Sequence, residues 1–206
     1  MNGEPTLFDL ADFEREAVAA TPWHGAPLTY TTDYYTPEEL RAAFERYRAE
    51  RGDFGCIPRS HMWHPAYPGQ GDRTVTEGHE LHIFHADTRC RESDHDHTAA
   101  PLPDDLTSQG ICPACRWHMI DRSEGAIVEA WHDHAMPGWR ELPVLPGKLA
   151  RFDSPKRIAA VAAWIAENYP PAWQRLGVPI LTERGPYGTR HVPGRSPLGG
   201  YDLSAQ

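Results

Sequence analysis

Apolar and polar positions follow two rhythms along this chain, and long stretches follow neither. The clearest helical rhythm opens at Ser154-Pro155. There Ile158, Val161, Ala162 and Ile165 recur at three- and four-residue spacing, and Pro170-Pro171 closes the run. A second helix is predicted from Thr36-Pro37-Glu38-Glu39, where Thr36 is a good N-cap, Pro37 suits the first turn and Glu39 completes a capping box. Its apolar stripe is Leu40, Phe44 and Tyr47, and Arg51-Gly52 ends it. A third runs from Ser123 to Ala135 with Ile127, Val128 and Trp131 on its apolar face, stopped by Pro137-Gly138. A shorter helical pattern follows Leu7-Phe8-Asp9-Leu10.

The two-residue rhythm of strands is weaker. Thr74 to Ala86 reads as strand material around Gly78, with His79, Leu81, Ile83 and His85 on one side and Glu80, His82, Phe84 and Ala86 on the other. Ile111 to Ile120 predicts two short strands folded about Cys112-Pro113-Ala114-Cys115. Leu28 to Tyr35 is β-branched and aromatic and predicts a further strand, and Trp139 to Pro146 an extended exit. Phe54 to Gly71 is broken by Pro and Gly and wraps the core, and Asp87 to Gly110 is a polar loop. The class expected is α+β: a small zinc-ribbon-like β core with two or three helices and long irregular N- and C-terminal arms. The expected divisions are 1–27, a flexible arm; 28–150, a metal-stabilised domain; and 151–206, a helix followed by a basic Pro/Gly-rich tail that packs on the domain.

Composition narrows the function classes. The 206 residues include 20 Pro and 17 Gly, with a mean hydropathy of -0.60, so irregular structure takes a large share. No run approaches the length of a membrane span. The start MNGEPTLFDLADFERE has neither a basic nor an apolar signal region, and a cytoplasmic protein is expected. The net charge of -9 is uneven: residues 1–147 carry 12 Lys+Arg against 25 Asp+Glu, whereas residues 148–206 carry 8 against 4. An acidic front argues against a protein that coats DNA. The tail, with Arg184, Arg190 and Arg195, offers a local nucleic-acid contact.

The candidate chemistry is metal binding. Cys112 and Cys115 form a C-x2-C pair, Cys90 lies upstream, and histidines crowd both flanks. Two thiolates two residues apart grip one tetrahedral ion from a tight turn, and a returning segment supplies the rest, so Zn2+ is the expected cofactor. Cys90 is the expected third ligand. The fourth is open among His95, His97, His132 and His134, with His118 a weaker candidate. His132 and His134, two residues apart, cannot both bind from one straight helix face. For His82 and His85 a hydrogen-bonded or solvated side chain is expected. Four protein ligands would make the site structural. An open catalytic zinc would need a base, and Glu80, Glu92 and Asp133 form no recognisable motif with the histidines; no catalytic residue is assigned. A small zinc-dependent hydrolase or nuclease using His79, His82 or His134 is the enzymatic alternative.

Two resemblances bear on partners. Glu4-Pro5-Thr6-Leu7-Phe8 resembles the peptide by which bacterial DNA-processing proteins dock on the replicative sliding clamp, although Glu4 stands where that motif has Gln. Leu7 and Phe8 would be the anchors. The phrases GHELHIFHADTRC, CPACRW, WHDHAMPGWRELP and GTRHVPGRSPLGGYD make residues 50–206 look like an uncharacterised family of actinobacteria and their bacteriophages. That resemblance implies a phage or mobile-element setting and an accessory role at a DNA replication or recombination complex, and it carries over no catalytic residue.

Overall fold

Helix starts and tight turns in the sequence translate directly into the elements of the computed structural model. It describes residues 7–51, 60–66, 73–76, 78–88, 103–150, 154–174 and 178–183; for residues 7–9, 11 and 73–76 only the backbone path is described. The elements are α1 (Leu7–Ala20), α2 (Pro37–Arg51), β1 (Trp63–Pro65), β2 (Arg73–Thr76), β3 (His79–Ala86), β4 (Ser108–Cys112), β5 (Trp117–Asp121), α3 (Glu124–Ala135) and α4 (Pro155–Asn168). The strands lie in the order β1-β3-β4-β5, and β2 also pairs with β3. The α+β class expected from the sequence holds, with four α-helices among the described residues rather than two or three. None of these helices is long and apolar enough to cross a membrane.

Two compact units divide the chain, Met1–Ala66 with Phe84–Thr107, and Tyr67–Ile83 with Ser108–Gln206. In the first, α2 opens on the predicted capping box: Glu39 N–H donates to Thr36 Oγ1 at 3.2 Å, and Thr36 N–H donates to the Glu39 carboxylate at 2.8 Å. Leu40, Ala43 and Tyr47 bury its inner face. Arg46 reaches back to the carbonyls of Val18 and Thr21, tying the end of α1 to α2. Residues 28–35 form no strand, contrary to the expectation. Their polar groups are engaged one at a time: Tyr30 N–H donates to Ser60 O, Trp63 Nε1 to Thr31 O and Asp33 N–H to Thr31 Oγ1. A segment whose backbone serves loops and side chains has no free ladder to offer a neighbour. Part of the wrapping stretch is more regular than expected, because Trp63–Pro65 pairs antiparallel with Phe84–Ala86.

In the second unit, β2 and β3 make a hairpin. Thr76 pairs with His79 across a tight turn in which Gly78 sits at φ +85°, a left-handed conformation that favours glycine. β4 and β5 make a second hairpin, with Cys112 opposite Trp117 and a 3-10 turn over Pro113–Cys115 between them. β4 begins at Ser108, so the polar loop ends earlier than expected. α3 is capped by Ser123, whose Oγ accepts from Ala126 N–H, and packs on β4 and β5. Leu81, Ile83, Ile111, Ile127 and Trp131 are fully buried, each aliphatic contributing about 1.5–3 kcal/mol by leaving water. The expected extended exit starts instead as a 3-10 turn over Trp139–Glu141, entered through Gly138 at φ +92°. Beyond α4, Thr182 makes an isolated parallel bridge with Leu145.

Candidate metal centre

Three chain reversals bring four donor atoms together. The Gly78 turn delivers His79 as the first residue of β3. The end of β4 delivers Cys112, and the 3-10 turn brings Cys115 back over it. Arg116, at φ 53°, reverses the chain into β5, and its N–H closes the turn on Pro113 O at 3.2 Å. The last turn of α3 delivers His134. One donor atom from each of His79, Cys112, Cys115 and His134 lies within 4.8 Å of every other. His79 Nδ1 is 3.8 Å from Cys112 Sγ and 3.4 Å from Cys115 Sγ.

The approach of α3 is set by β4 and β3. A Cβ on Gly110 would collide with Ile127 Cγ2 and stand 3.2 Å from Leu81 Cδ1. Only a residue without a side chain lets the helix sit that close. One turn before His134, Trp131 Nε1 donates to Glu80 O at 3.1 Å, which ties α3 to the residue next to His79. The His134 ring stacks on Trp117 at 5.5 Å and 10°, and meets His79 edge-on at 5.0 Å. Cys112 is buried, Cys115 is exposed, and both histidines are half-buried.

Electrostatics fit a cation at this point. Desolvation, and after it the adjacent Cys112, push the Cys115 thiol up; burial, and after it His79, push His134 down. Like groups crowded together resist charging, and a dication reverses that by taking thiolates and neutral imidazoles as ligands. His134 Nε2 is also buried without a hydrogen-bond partner.

Of the residues expected from sequence, Cys112, Cys115 and His134 come together. Cys90, His95 and His97 lie outside the described residues, as do Glu92, Arg184, Arg190 and Arg195 and the side chains of Leu7 and Phe8. His79, expected only as an option for an open catalytic site, is the fourth member of the cluster among the described residues. Its signal was its position, directly after a turn glycine at a hairpin end. His132 is not in the cluster: it is fully buried, its Nδ1 bonds Val128 O at 2.6 Å, and burial pushes its pKa down to about 4. His82 pairs with Glu80 at 3.0 Å, a hydrogen-bonded side chain as expected, and His118 lies in β5 outside the cluster. Asp133 bonds Trp139 and Arg140.

The fold and the site thus define an α+β protein with a cluster of two cysteines and two histidines that could hold a metal ion. Residues 25–206 match the model of a family of unknown function, DUF6349, and the chain belongs to that family. No curated protein and no solved structure matches the chain.

Proposed function

We propose that this chain is a zinc-stabilised accessory protein in which His79, Cys112, Cys115 and His134 hold one structural Zn2+. The observation that carries the reading is the convergence of four donors, from a hairpin end, a C-x2-C turn and a helix end, within 4.8 Å. Two sulfurs and two nitrogens suit tetrahedral zinc. Four protein donors leave no position for water, so the ion's role is to join β3, the β4–β5 turn and α3 in a ribbon-like core rather than to activate a nucleophile. A catalytic zinc is disfavoured on the same ground.

A protein partner is the second part of the proposal. On α1, Leu10 is 48% and Phe13 64% exposed, beside Asp12, Glu14 and Glu16. Apolar side chains held at a helix surface favour contact with another protein. The helix begins at Leu7-Phe8, the pair that resembles a sliding-clamp docking peptide. With the motif resemblance to phage and actinobacterial proteins, this supports a role at a DNA replication or recombination complex, with the basic tail as an accessory nucleic-acid contact. The test combines elemental analysis with binding of the purified protein to immobilised sliding clamp. The expected result is one zinc per chain and clamp binding lost on Leu7→Ala/Phe8→Ala with the fold retained. Binding unaffected by those changes would remove the clamp partner, and a metal-free protein would remove the zinc.

A further inference from the structure

The turn of α3 that carries His134 is braced in an unusual way. Asp133 stands in the last turn of α3, where a negative charge opposes the helix dipole rather than stabilising the helix. Its carboxylate is fully used. Arg140 Nε donates to Oδ1 at 2.8 Å and Arg140 Nη2 to Oδ2 at 3.0 Å, a two-pronged pair. Trp139 Nε1 donates to the same Oδ1 at 2.8 Å. Arg140 Nη2 also reaches Glu129, one helical turn earlier, at 3.3 Å.

The loop that supplies these donors folds back at Gly138 and lies along the helix end. Met136 N–H donates to His132 O at 2.8 Å, and Trp139 N–H to Met136 O at 3.1 Å. The Trp139 ring is buried against His132 at 5.3 Å, and the Arg140 guanidinium lies over that ring at 4.5 Å. A free helix end frays and lets its last side chains wander. A metal donor tolerates errors of only a few tenths of an ångström.

We propose that Asp133, Trp139 and Arg140 form a clamp that positions His134 as a metal donor. They are positioning residues that touch no ion themselves. The inference rests on the zinc reading above and deepens it, assigning to the WHDH and PGWR segments one shared task.

The test uses the full chain and two probes, Zn2+ by chelator competition and Co2+ by its absorption spectrum. Wild-type binding tests the zinc reading alone; the variants test the clamp. Asp133→Ala raises helix propensity and removes the dipole clash, so a role confined to helix stability predicts an unchanged or firmer protein. The clamp predicts about five- to tenfold weaker Zn2+ binding in Asp133→Ala and in Arg140→Gln, the pair being half exposed and the effect correspondingly modest. The double variant should bind no worse than the weaker single variant. The Co2+ bands of the variants should shift or broaden, and Asp133→Asn, which keeps an acceptor for Trp139 and Arg140, should recover part of the affinity. Arg48→Gln, an exposed pair elsewhere, should change nothing. Affinities within twofold of wild type, losses that add in the double variant, or unchanged Co2+ spectra would overturn the clamp. A wild type that binds neither ion would overturn the zinc reading and the clamp with it.

Discussion

Gly110→Ala probes the packing that sets the distance between β4, which carries Cys112, and α3, which carries His134. The added methyl collides with Ile127 Cγ2 and presses on Leu81 Cδ1, and both residues are fully buried, so neither can swing into solvent. Overpacking of a filled core costs about 1–3 kcal/mol. Replacing a strand glycine by alanine otherwise gains about 0.5–1 kcal/mol. The net expectation is a loss of about 1–2 kcal/mol, a drop of roughly 2–8 °C in Tm for a chain of this size. Denaturant unfolding should show a lower midpoint with an unchanged slope. Zinc affinity should fall as well, because α3 must move away from the C-x2-C turn. Ile127→Ala alone should cost about 2–5 kcal/mol. In that background Gly110→Ala should be neutral or stabilising, because the colliding methyl is gone. A Gly110→Ala protein as stable as wild type, or losses that simply add in the double variant, would refute the claim that this glycine fixes the helix position.

Further outcomes follow from the same geometry. Trp131→Phe removes the bond to Glu80 O beside His79 and should lower stability by about 1–3 kcal/mol, measured by denaturant unfolding. Zinc affinity should rise with pH across the neutral range. Cys115 is pushed up and carries a proton that the metal must displace, whereas His134 is pushed down and is already neutral. Calorimetry in buffers of different ionisation enthalpy should therefore register proton release; none would mean that this thiol is not a ligand. Leu10→Ser/Phe13→Ser should leave stability within about 0.5 kcal/mol while weakening partner binding.

The helix starts were legible because local chemistry decides them: Thr36 with Glu39, Ser123 and Ser154 act through bonds within three residues. The β4–β5 hairpin was legible for a similar reason, since a C-x2-C turn reverses the chain whatever surrounds it. Residues 28–35 misled because their β-branched and aromatic content fits a strand, while Ser60 and Trp63, distant in sequence, claim their backbone groups. His134 could be preferred over His132 only in part. Helical spacing separates the two, but burial of His132 among Trp131 and Trp139 is a tertiary fact. His79 was the harder donor. Its partnership with Cys112 depends on β3 lying beside β4, and sequence spacing carries no record of which strands become neighbours.

X-ray absorption at the zinc edge tests the central claim most directly, because it counts sulfur and nitrogen donors around the bound ion. The account predicts two sulfurs at about 2.3 Å and two imidazole nitrogens at about 2.0 Å, with one sulfur lost in Cys112→Ser. Three sulfurs, which would bring in Cys90 or Cys56, or an ion held by oxygen and nitrogen alone, would contradict it.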